Sequence, residues 1–241
     1  MTETTQLTPA LYLIPVTLGE APHHRILPSW NADVVRAIRH FVVEDLRSAR
    51  RFLKQVDRTI DIDRLTFYEM GKHADEARFA TYLAPLERGE SVGVLSEAGC
   101  PAVADPGAIL VGIAQRKRLK VVPLVGPSSI LLALMGSGFN GQSFAFHGYL
   151  PIEPAQRSKV LRHLETQAIS ADQTQLFIET PYRNAKLLEE VLRTLRPTTR
   201  FCIAAGLTTE QEYLCTRTVK EWKTYGYPEL GKVPAIFLIY R

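Results

Sequence analysis

Four short segments of this 241-residue chain contain the residue types most suited to chemistry, and each segment follows an apolar run. The longest reads S-E-A-G-C-P at 96–101 and continues A-D-P-G at 104–107. Ligands of open α/β sheets bind outside the carboxyl ends of strands. Gly99 allows a ligand to approach the backbone closely, whereas Asp105 and Pro106 are typical of a helix start. The segment is longer than a strand-to-helix connection needs, so we predict ligand binding in its first half.

The second segment, V-G-P-S-S at 125–129, also ends an apolar run and opens a helical pattern. Helix capping is the simpler interpretation of Ser128 taken alone. Its hydroxyl and the neighbouring amides can equally hold a carboxylate or a ribose. Two such loops at successive strand ends favour a joint ligand site.

Charged residues define the third and fourth segments, E-T-P-Y-R at 179–183 and V-E-D-L-R at 43–47. A carboxylate at a strand end can act as a general base, and an arginine there can contact a phosphate or carboxylate. The alternative is that these residues form structural ion pairs, with Glu179 and Arg183 joined to each other. The residues alone leave both interpretations open.

A basic stripe follows the fourth segment at helical spacing: Arg47, Arg50, Arg51 and Lys54. It is either a solvated helix face or a surface for RNA. The net charge of +4 and pI near 9.0 are compatible with an anionic partner without requiring one.

Composition predicts an ordinary cytoplasmic globular protein, with 46% hydrophobic and 22% charged residues. The first ten residues lack the pattern of a signal peptide, and the longest apolar run, 130–135, is too short to span a membrane. The three cysteines form no C-x-x-C pair, and His23 and His24 lack a third ligand at metal spacing, so no metal is expected. No G-x-G-x-x-G follows the first strand, which weakens a dinucleotide-binding interpretation.

Apolar runs alternate with helical patterns, which predicts an α/β fold. The expected strands lie at 11–16, 41–43, 92–95, 120–124, 144–146, 175–178, 201–204, 213–216 and 235–240, and the expected helices at 33–40, 46–55, 74–88, 107–117, 129–136 and 181–195. Glycines and a proline over 136–151 suggest a boundary. We therefore predict a mainly parallel α/β domain over 1–140 and a second α/β domain over 141–241, whose sheet is mixed because no long crossover helix separates its last two strands.

Six motifs in fixed order resemble the tetrapyrrole methylase superfamily, and within it the branch of ribosomal RNA small-subunit 2′-O-methyltransferases. They read I-P-V-T-L-G-E at 14–20, V-E-D-L-R at 43–47, the segment 96–107, V-G-P-S-S at 125–129, F-H-G-Y-L-P at 146–151 and E-T-P-Y-R at 179–183. The resemblance covers about 11–212. It departs from the branch at Ala205–Thr209, where three charged groups of the branch are missing, at Glu97 and Cys100, and at 68–73, where an expected element is not recognisable.

The resemblance implies a methyltransferase with S-adenosylmethionine in a cleft between two α/β domains, in a homodimer. The implied cofactor-binding residues are Pro15, Leu18, Glu97, Gly99, Pro101, Val103, Ser128, Ser129, Phe177, Ile178, Ala205 and Ala235. From the charged residues at strand ends we expect the catalytic residues to be Glu44, Asp45, Arg47, Glu179 and Arg183, with Glu97 as a further candidate base. The acceptor is RNA or a small molecule such as a tetrapyrrole. A protein that binds the cofactor without transferring the methyl group is a third alternative.

Overall fold

The computed structural model describes residues 7–70 and 76–241. The chain divides into two compact units, Met1–Ser128 and Ser129–Arg241. The helix that follows residue 128 packs on strands of the second unit. The unit boundary therefore precedes this helix, whereas the sequence-based boundary after residue 140 follows it.

The sheet of the first unit has five strands among the described residues: β1 (Leu11–Ile14), β2 (His40–Val43), β3 (Thr66–Glu69), β4 (Val92–Leu95) and β5 (Val121–Pro123). Their order is β3-β2-β4-β1-β5, and each pairing is parallel. The central strands are apolar runs buried on both faces, as parallel sheets require. The carboxyl ends of β1, β2, β4 and β5 consequently lie along one edge of the sheet.

Helices cover both faces of this sheet: α1 (His23–Ile26), α2 (Ser29–Ala37), α3 (Leu46–Val56), α4 (Glu76–Thr81), α5 (Ala84–Glu87) and α6 (Gly107–Arg116). Two apolar cores result, one containing residues of α2 and α3 and the other residues of α4, α5 and α6. Gly93 of β4 is required where the two neighbouring strands pack closely. A Cβ there would lie 2.8 Å from Ile14 Cδ1 and 3.0 Å from the Phe41 ring.

The second unit has a mixed sheet of β6 (Phe144–Tyr149), β7 (Thr174–Glu179), β8 (Arg200–Ala205), β9 (Tyr213–Thr218) and β10 (Ala235–Tyr240). The strand order is β6-β7-β10-β8-β9. Only β6 and β7 pair in parallel among the described strands of this sheet; the other pairings are antiparallel.

Four helices belong to the described part of the second unit: α7 (Ser129–Ser137), α8 (Pro154–Ser170), α9 (Asn184–Thr194) and α10 (Val219–Tyr225). A 3-10 turn at Pro181–Arg183 precedes α9. A buried ion pair joins α8 to α9, with Arg157 Nη2 lying 2.5 Å from Glu190 Oε2. Ser158 Oγ donates to the other carboxylate oxygen at 2.5 Å, so both oxygens of this buried charge have partners.

The α/β class predicted from the sequence is confirmed, and most expected elements lie within a few residues of their predicted bounds. Strand β3 and helices α8 and α10 were not predicted. The expected helix at 74–88 is two short helices within its described part, and residues 74 and 75 lie outside the described residues. Within residues 7–70 and 76–241, no helix combines the length and apolar character needed to cross a membrane.

Candidate active site

The loops after β1 and β4 are held together by backbone contact. The Val16 N–H donates to the Gly99 carbonyl at 3.0 Å, which forms an antiparallel bridge. Gly99 has φ +71°, and a Cβ there would lie 3.0 Å from Leu18 Cδ2 and 3.3 Å from the Pro127 carbonyl oxygen. A larger residue therefore has neither the backbone conformation nor the room at this position.

The loop after β5 closes on the same two loops. Cys100 Sγ donates to the Pro127 carbonyl at 3.3 Å, and burial raises the pKa of this thiol. Gly126 packs on Pro15 so closely that a Cβ would lie 2.1 Å from the Pro15 Cβ. We call residues 15–18, 96–105 and 125–128 the loop cluster. It brings the first two predicted ligand segments together within the first unit.

Glu44 ends β2 beside this loop cluster. Its Oε2 accepts a hydrogen bond from the Glu97 N–H at 3.3 Å. Partial burial raises the pKa of the Glu44 carboxyl above its ordinary value, and the charges of Asp105 and Glu97 raise it further, against the opposing effect of the Glu97 N–H. Glu97 is exposed and accepts weakly from Ser48 Oγ at 3.4 Å. A half-buried carboxylate with a raised pKa suits a general base near neutral pH.

Asp105 organises the second half of the loop. Its Oδ1 accepts from the N–H groups of Ala102 at 3.1 Å and Gly107 at 2.6 Å, while the buried Oδ2 has no hydrogen-bond partner in the described part of the chain. Ala102 and Ala104 have positive φ angles of 66° and 56°. Backbone held in this region costs free energy and is concentrated at functional sites. The sequence predicted Asp105 only as a helix cap, and nothing in its pattern indicated the bond to Ala102.

Asp45 and Arg47 are both exposed. Asp45 is the N-cap of α3, and its Oδ1 accepts from the Ser48 N–H at 2.7 Å. That N–H and the Ser48 hydroxyl lower the pKa of Asp45. The Asp45 carboxylate is thus engaged in capping α3, so the Glu44 carboxylate is the better candidate for the general base.

In the second unit, Glu179 and Arg183 form the ion pair that the sequence left as one alternative. Arg183 Nη2 lies 2.6 Å from Glu179 Oε1, which also accepts from the Thr180 N–H at 2.6 Å. The Glu179 side chain is buried, with 1% exposed, and its Oε2 has no hydrogen-bond partner among the residues that the structure describes. Thr180, predicted as a helix cap, makes no side-chain capping bond. Glu179 therefore positions Arg183, whose side chain remains 28% exposed.

The second-unit cofactor candidates lie in adjacent rows of the sheet. The register aligns Glu179 with Ala235, and Ala235 with Ala205, across β7, β10 and β8. Ile178 lies one row deeper and is half-buried, and Phe177 is fully buried in the apolar core against Phe237. Phe177 can therefore offer a ligand only its backbone.

The other candidates differ in accessibility. Pro101 is buried in the loop cluster, and Val103 is 51% exposed. Ser128 is the last residue of the first unit, and Ser129 is the first residue of α7. Both serines are half-buried.

Comparison with known proteins identifies the family of this fold and its motifs. A family model described as Tetrapyrrole (Corrin/Porphyrin) Methylases matches residues 29–223, which is most of the chain. The chain belongs to this methylase family. The resemblance inferred from the six motifs is thereby confirmed.

Several relatives of this methylase are named "Ribosomal RNA small subunit methyltransferase I". The one from Mesorhizobium japonicum is 34% identical over 214 residues, covering 89% of this chain and 69% of the relative. The one from Vibrio cholerae is 30% identical over 200 residues, covering 83% of this chain and 65% of the relative. This chain thus spans about two thirds of the length of these relatives.

Solved structures show the same fold. The methyltransferase CobJ aligns with a TM-score of 0.62 at 16% identity, covering 96% of this chain and 94% of its own. The cobalt precorrin-4 methyltransferase CbiF aligns with a TM-score of 0.58 at 14% identity, covering 96% and 95%. At such identities the likeness extends to the fold alone.

Replacing Asp105 by Asn should lower the pKa of Glu44, because it removes the nearby negative charge of Asp105. Asn keeps an oxygen for the Ala102 and Gly107 N–H groups, so the loop should persist. If Glu44 acts as a base, methyl transfer rises with pH as Glu44 ionises. The acidic limb of the pH–rate profile should therefore move to lower pH in Asp105→Asn. An unmoved acidic limb, with the fold intact, would show that this limb does not report Glu44.

Proposed function

We propose that this chain transfers a methyl group from S-adenosylmethionine to a ribose 2′-hydroxyl of small-subunit ribosomal RNA. Membership in a methylase family supports the reaction class. The names of the most similar relatives support the acceptor. The resemblance of the 43–47, 96–107 and 179–183 motifs to the 2′-O-methyltransferase branch supports the ribose as the methylated group.

The loop cluster is the observation that supports this proposal most. Three loops at the carboxyl ends of β1, β4 and β5 are fastened by the Val16–Gly99 and Cys100–Pro127 hydrogen bonds. Gly99 is itself buried, and a Cβ there would meet Leu18 and the Pro127 carbonyl, so only glycine fits where these loops meet. Backbone N–H groups of loops at strand ends suit a ligand with a carboxylate and a ribose, so the residues present fit this cofactor.

Within the first unit, Leu18, Gly99 and Val103 would contact the cofactor, with Pro15 and Pro101 supporting them from buried positions and Ser128 offering a hydroxyl. For the second unit, the assignment of Ser129, Ile178, Ala205, Ala235 and the Phe177 backbone to the cofactor rests on the family resemblance alone. The bound cofactor supplies an electrophilic methyl group. The chain must then hold the acceptor in line with it, and such alignment contributes up to ~7–11 kcal/mol in favourable cases.

Glu44 would take the proton of the ribose hydroxyl, which is a poor nucleophile at neutral pH. A positioned base of this kind contributes about 10²–10⁴-fold in rate. Arg183, held by Glu179, would contact a phosphate through its exposed part. Arg47 would do the same from the first turn of α3. The proposal further includes a homodimer, which rests on the family resemblance, and a cytoplasmic location, which the names of the rRNA methyltransferase relatives support.

A small-molecule acceptor is the second candidate, and segment 205–209 favours it. This segment lacks the three charged groups of the rRNA branch. Ala205, Gly206 and Leu207 are buried, and a Cβ at Gly206 would lie 2.7 Å from the Gln211 carbonyl oxygen. A charged side chain does not fit at Gly206, and the segment carries none of the three charges that the branch has there.

S-adenosylhomocysteine should stabilise the protein if the cofactor site is as proposed. A ligand at 100 times its Kd stabilises the native state by about 2.7 kcal/mol, which corresponds to roughly 5–10 °C in Tm for a chain of this size. Thermal unfolding with and without the ligand measures this. An unchanged Tm at millimolar ligand would contradict the cofactor assignment.

Labelled S-adenosylmethionine, offered with ribosomal subunits, bulk RNA and a small-molecule extract in parallel, separates the acceptors. We expect label in RNA of the small subunit. Label in a small molecule would support the second candidate. Binding without transfer to any pool would identify a non-catalytic cofactor-binding protein.

A further inference from the structure

Helix α3 has a strongly cationic outer face. Its eleven residues, L-R-S-A-R-R-F-L-K-Q-V, include four cations and no anion. The inner face is buried in the first-unit core through Ala49, Phe52, Leu53 and Val56, while the four cations are exposed. The helix begins two residues after Glu44, so this face starts at the proposed catalytic carboxylate.

The structure separates the four cations into two groups. Lys54 Nζ donates to the carbonyls of Arg58 at 3.1 Å and Ile60 at 2.7 Å, so it holds the turn that follows α3. Arg47, Arg50 and Arg51 have no ion-pair partner in the described part of the chain. Asp45 caps the helix, and the charge of Arg47 acts on its carboxylate without an ion pair between them, while Asp57 is bound by Arg36 at 2.6 Å.

Arg50 is held in place by an aromatic ring. Its guanidinium carbon lies 5.6 Å from the centroid of Phe67, on the edge strand β3. A guanidinium stacked in this way keeps its N–H donors free at the rim for a phosphate. Arg50 and Arg51 follow Arg47 by three and four residues, so each is a neighbour of Arg47 on the helix surface, and the three residues form an array with a rise of about 6 Å along the axis.

We propose that Arg47, Arg50 and Arg51 form a phosphate-binding face for the RNA segment that leads to the methylated nucleotide. This inference rests on the proposed function, since it assigns that substrate to a surface. RNA fits the array better than a single anion does, because three unpaired guanidiniums side by side match a chain of phosphates. Lys54 is excluded from the face because two of its three donors already hold the turn after α3.

The test measures the Kd for small-subunit ribosomal RNA as a function of salt. Each phosphate contact to single-stranded nucleic acid contributes about 0.7 to the slope of log K against log salt, so three contacts contribute about 2. Between about 50 and 200 mM salt, wild type should lose roughly 20-fold more affinity than the triple variant Arg47→Gln/Arg50→Gln/Arg51→Gln. Binding of S-adenosylhomocysteine should be retained in this variant, which confirms its fold.

Two controls separate this face from general charge. A second triple variant, Lys159→Gln/Lys186→Gln/Arg193→Gln, removes the same number of exposed cations from the second unit. It should keep the wild-type slope, as should Lys54→Gln. Equal slopes for the two triple variants, or no measurable RNA binding by wild type, would overturn the inference. If this face bound an acidic protein instead, wild type would show no measurable RNA binding.

Methyl transfer to RNA by wild type is measured beside these slopes. If RNA is methylated while both triple variants keep the wild-type slope, the proposed function stands and the phosphate-binding face is wrong. If the slope falls selectively in the α3 variant but RNA receives no methyl group, the face stands and the proposed function fails.

Discussion

Glu44→Gln should lower kcat for methyl transfer by about 10²–10⁴-fold, the usual contribution of a positioned general base. Gln has nearly the same shape and keeps an oxygen for the Glu97 N–H, but it cannot accept the proton of the ribose hydroxyl. Cofactor binding should be unchanged. Single-turnover transfer of labelled methyl, with S-adenosylhomocysteine affinity as the control, measures both effects.

Glu69→Gln provides a matched variant, since Glu69 ends the neighbouring strand β3 in register with Val43 and is exposed. It should retain wild-type activity. Equal rates in wild type and Glu44→Gln would remove Glu44 from the reaction.

Although its activity should fall, the Glu44→Gln variant should be more stable than wild type. The folded-state pKa of Glu44 is raised, so its ionisation costs free energy in the native state at pH values above that pKa. Gln removes this cost, and the variant should have a higher Tm than wild type near neutral pH. The difference should shrink as the pH falls through the raised pKa, and it should disappear below the ordinary pKa, where Glu44 is protonated in both the folded and the unfolded protein.

Gly99→Leu should abolish measurable cofactor binding. The residue occupies φ +71°, which costs a non-glycine residue about 1–2 kcal/mol. The added Cβ would also meet Leu18 and the Pro127 carbonyl at 3.0 and 3.3 Å. The loop cluster must then shift at the proposed cofactor site. Calorimetric titration with S-adenosylhomocysteine is the measurement.

Gly89 offers the control for backbone strain. It has φ +88°, and a Cβ there would meet nothing within 4 Å. Gly89→Leu should therefore lose some stability for the same conformational reason while keeping cofactor binding. Wild-type affinity in folded Gly99→Leu would place Gly99 outside the cofactor site.

The sequence predicted the parallel core well, because β1, β2 and β4 are continuous apolar runs. It missed β3, whose four residues are only half-buried or exposed at the sheet edge. It missed α8 because polar residues occupy two of its buried positions, Arg157 and Glu165, and weaken the apolar period. Helix α10 was within reach, since Thr218 and Glu221 form a capping box with a recognisable spacing.

The sequence predicted which strand ends form the site, but it did not predict the contacts between the loops that follow them. Loops after β1, β4 and β5 were expected to share a ligand because parallel strands end at one edge. The bonds that join Val16 to Gly99 and Cys100 to Pro127 link distant positions, and no local pattern specifies them. The raised pKa of Glu44 likewise depends on burial and on the charge of Asp105, which lies far from Glu44 in the sequence.

The most direct test of the account is the fate of the methyl group in RNA. Small ribosomal subunits lacking the modification are incubated with this chain and labelled S-adenosylmethionine, and their RNA is digested to nucleosides. We predict label in a single 2′-O-methylated nucleoside, and labelling that is about 10²–10⁴-fold slower with Glu44→Gln. Label on a base would contradict this prediction. So would the absence of label from RNA when a small molecule from a cell extract is methylated in a parallel reaction.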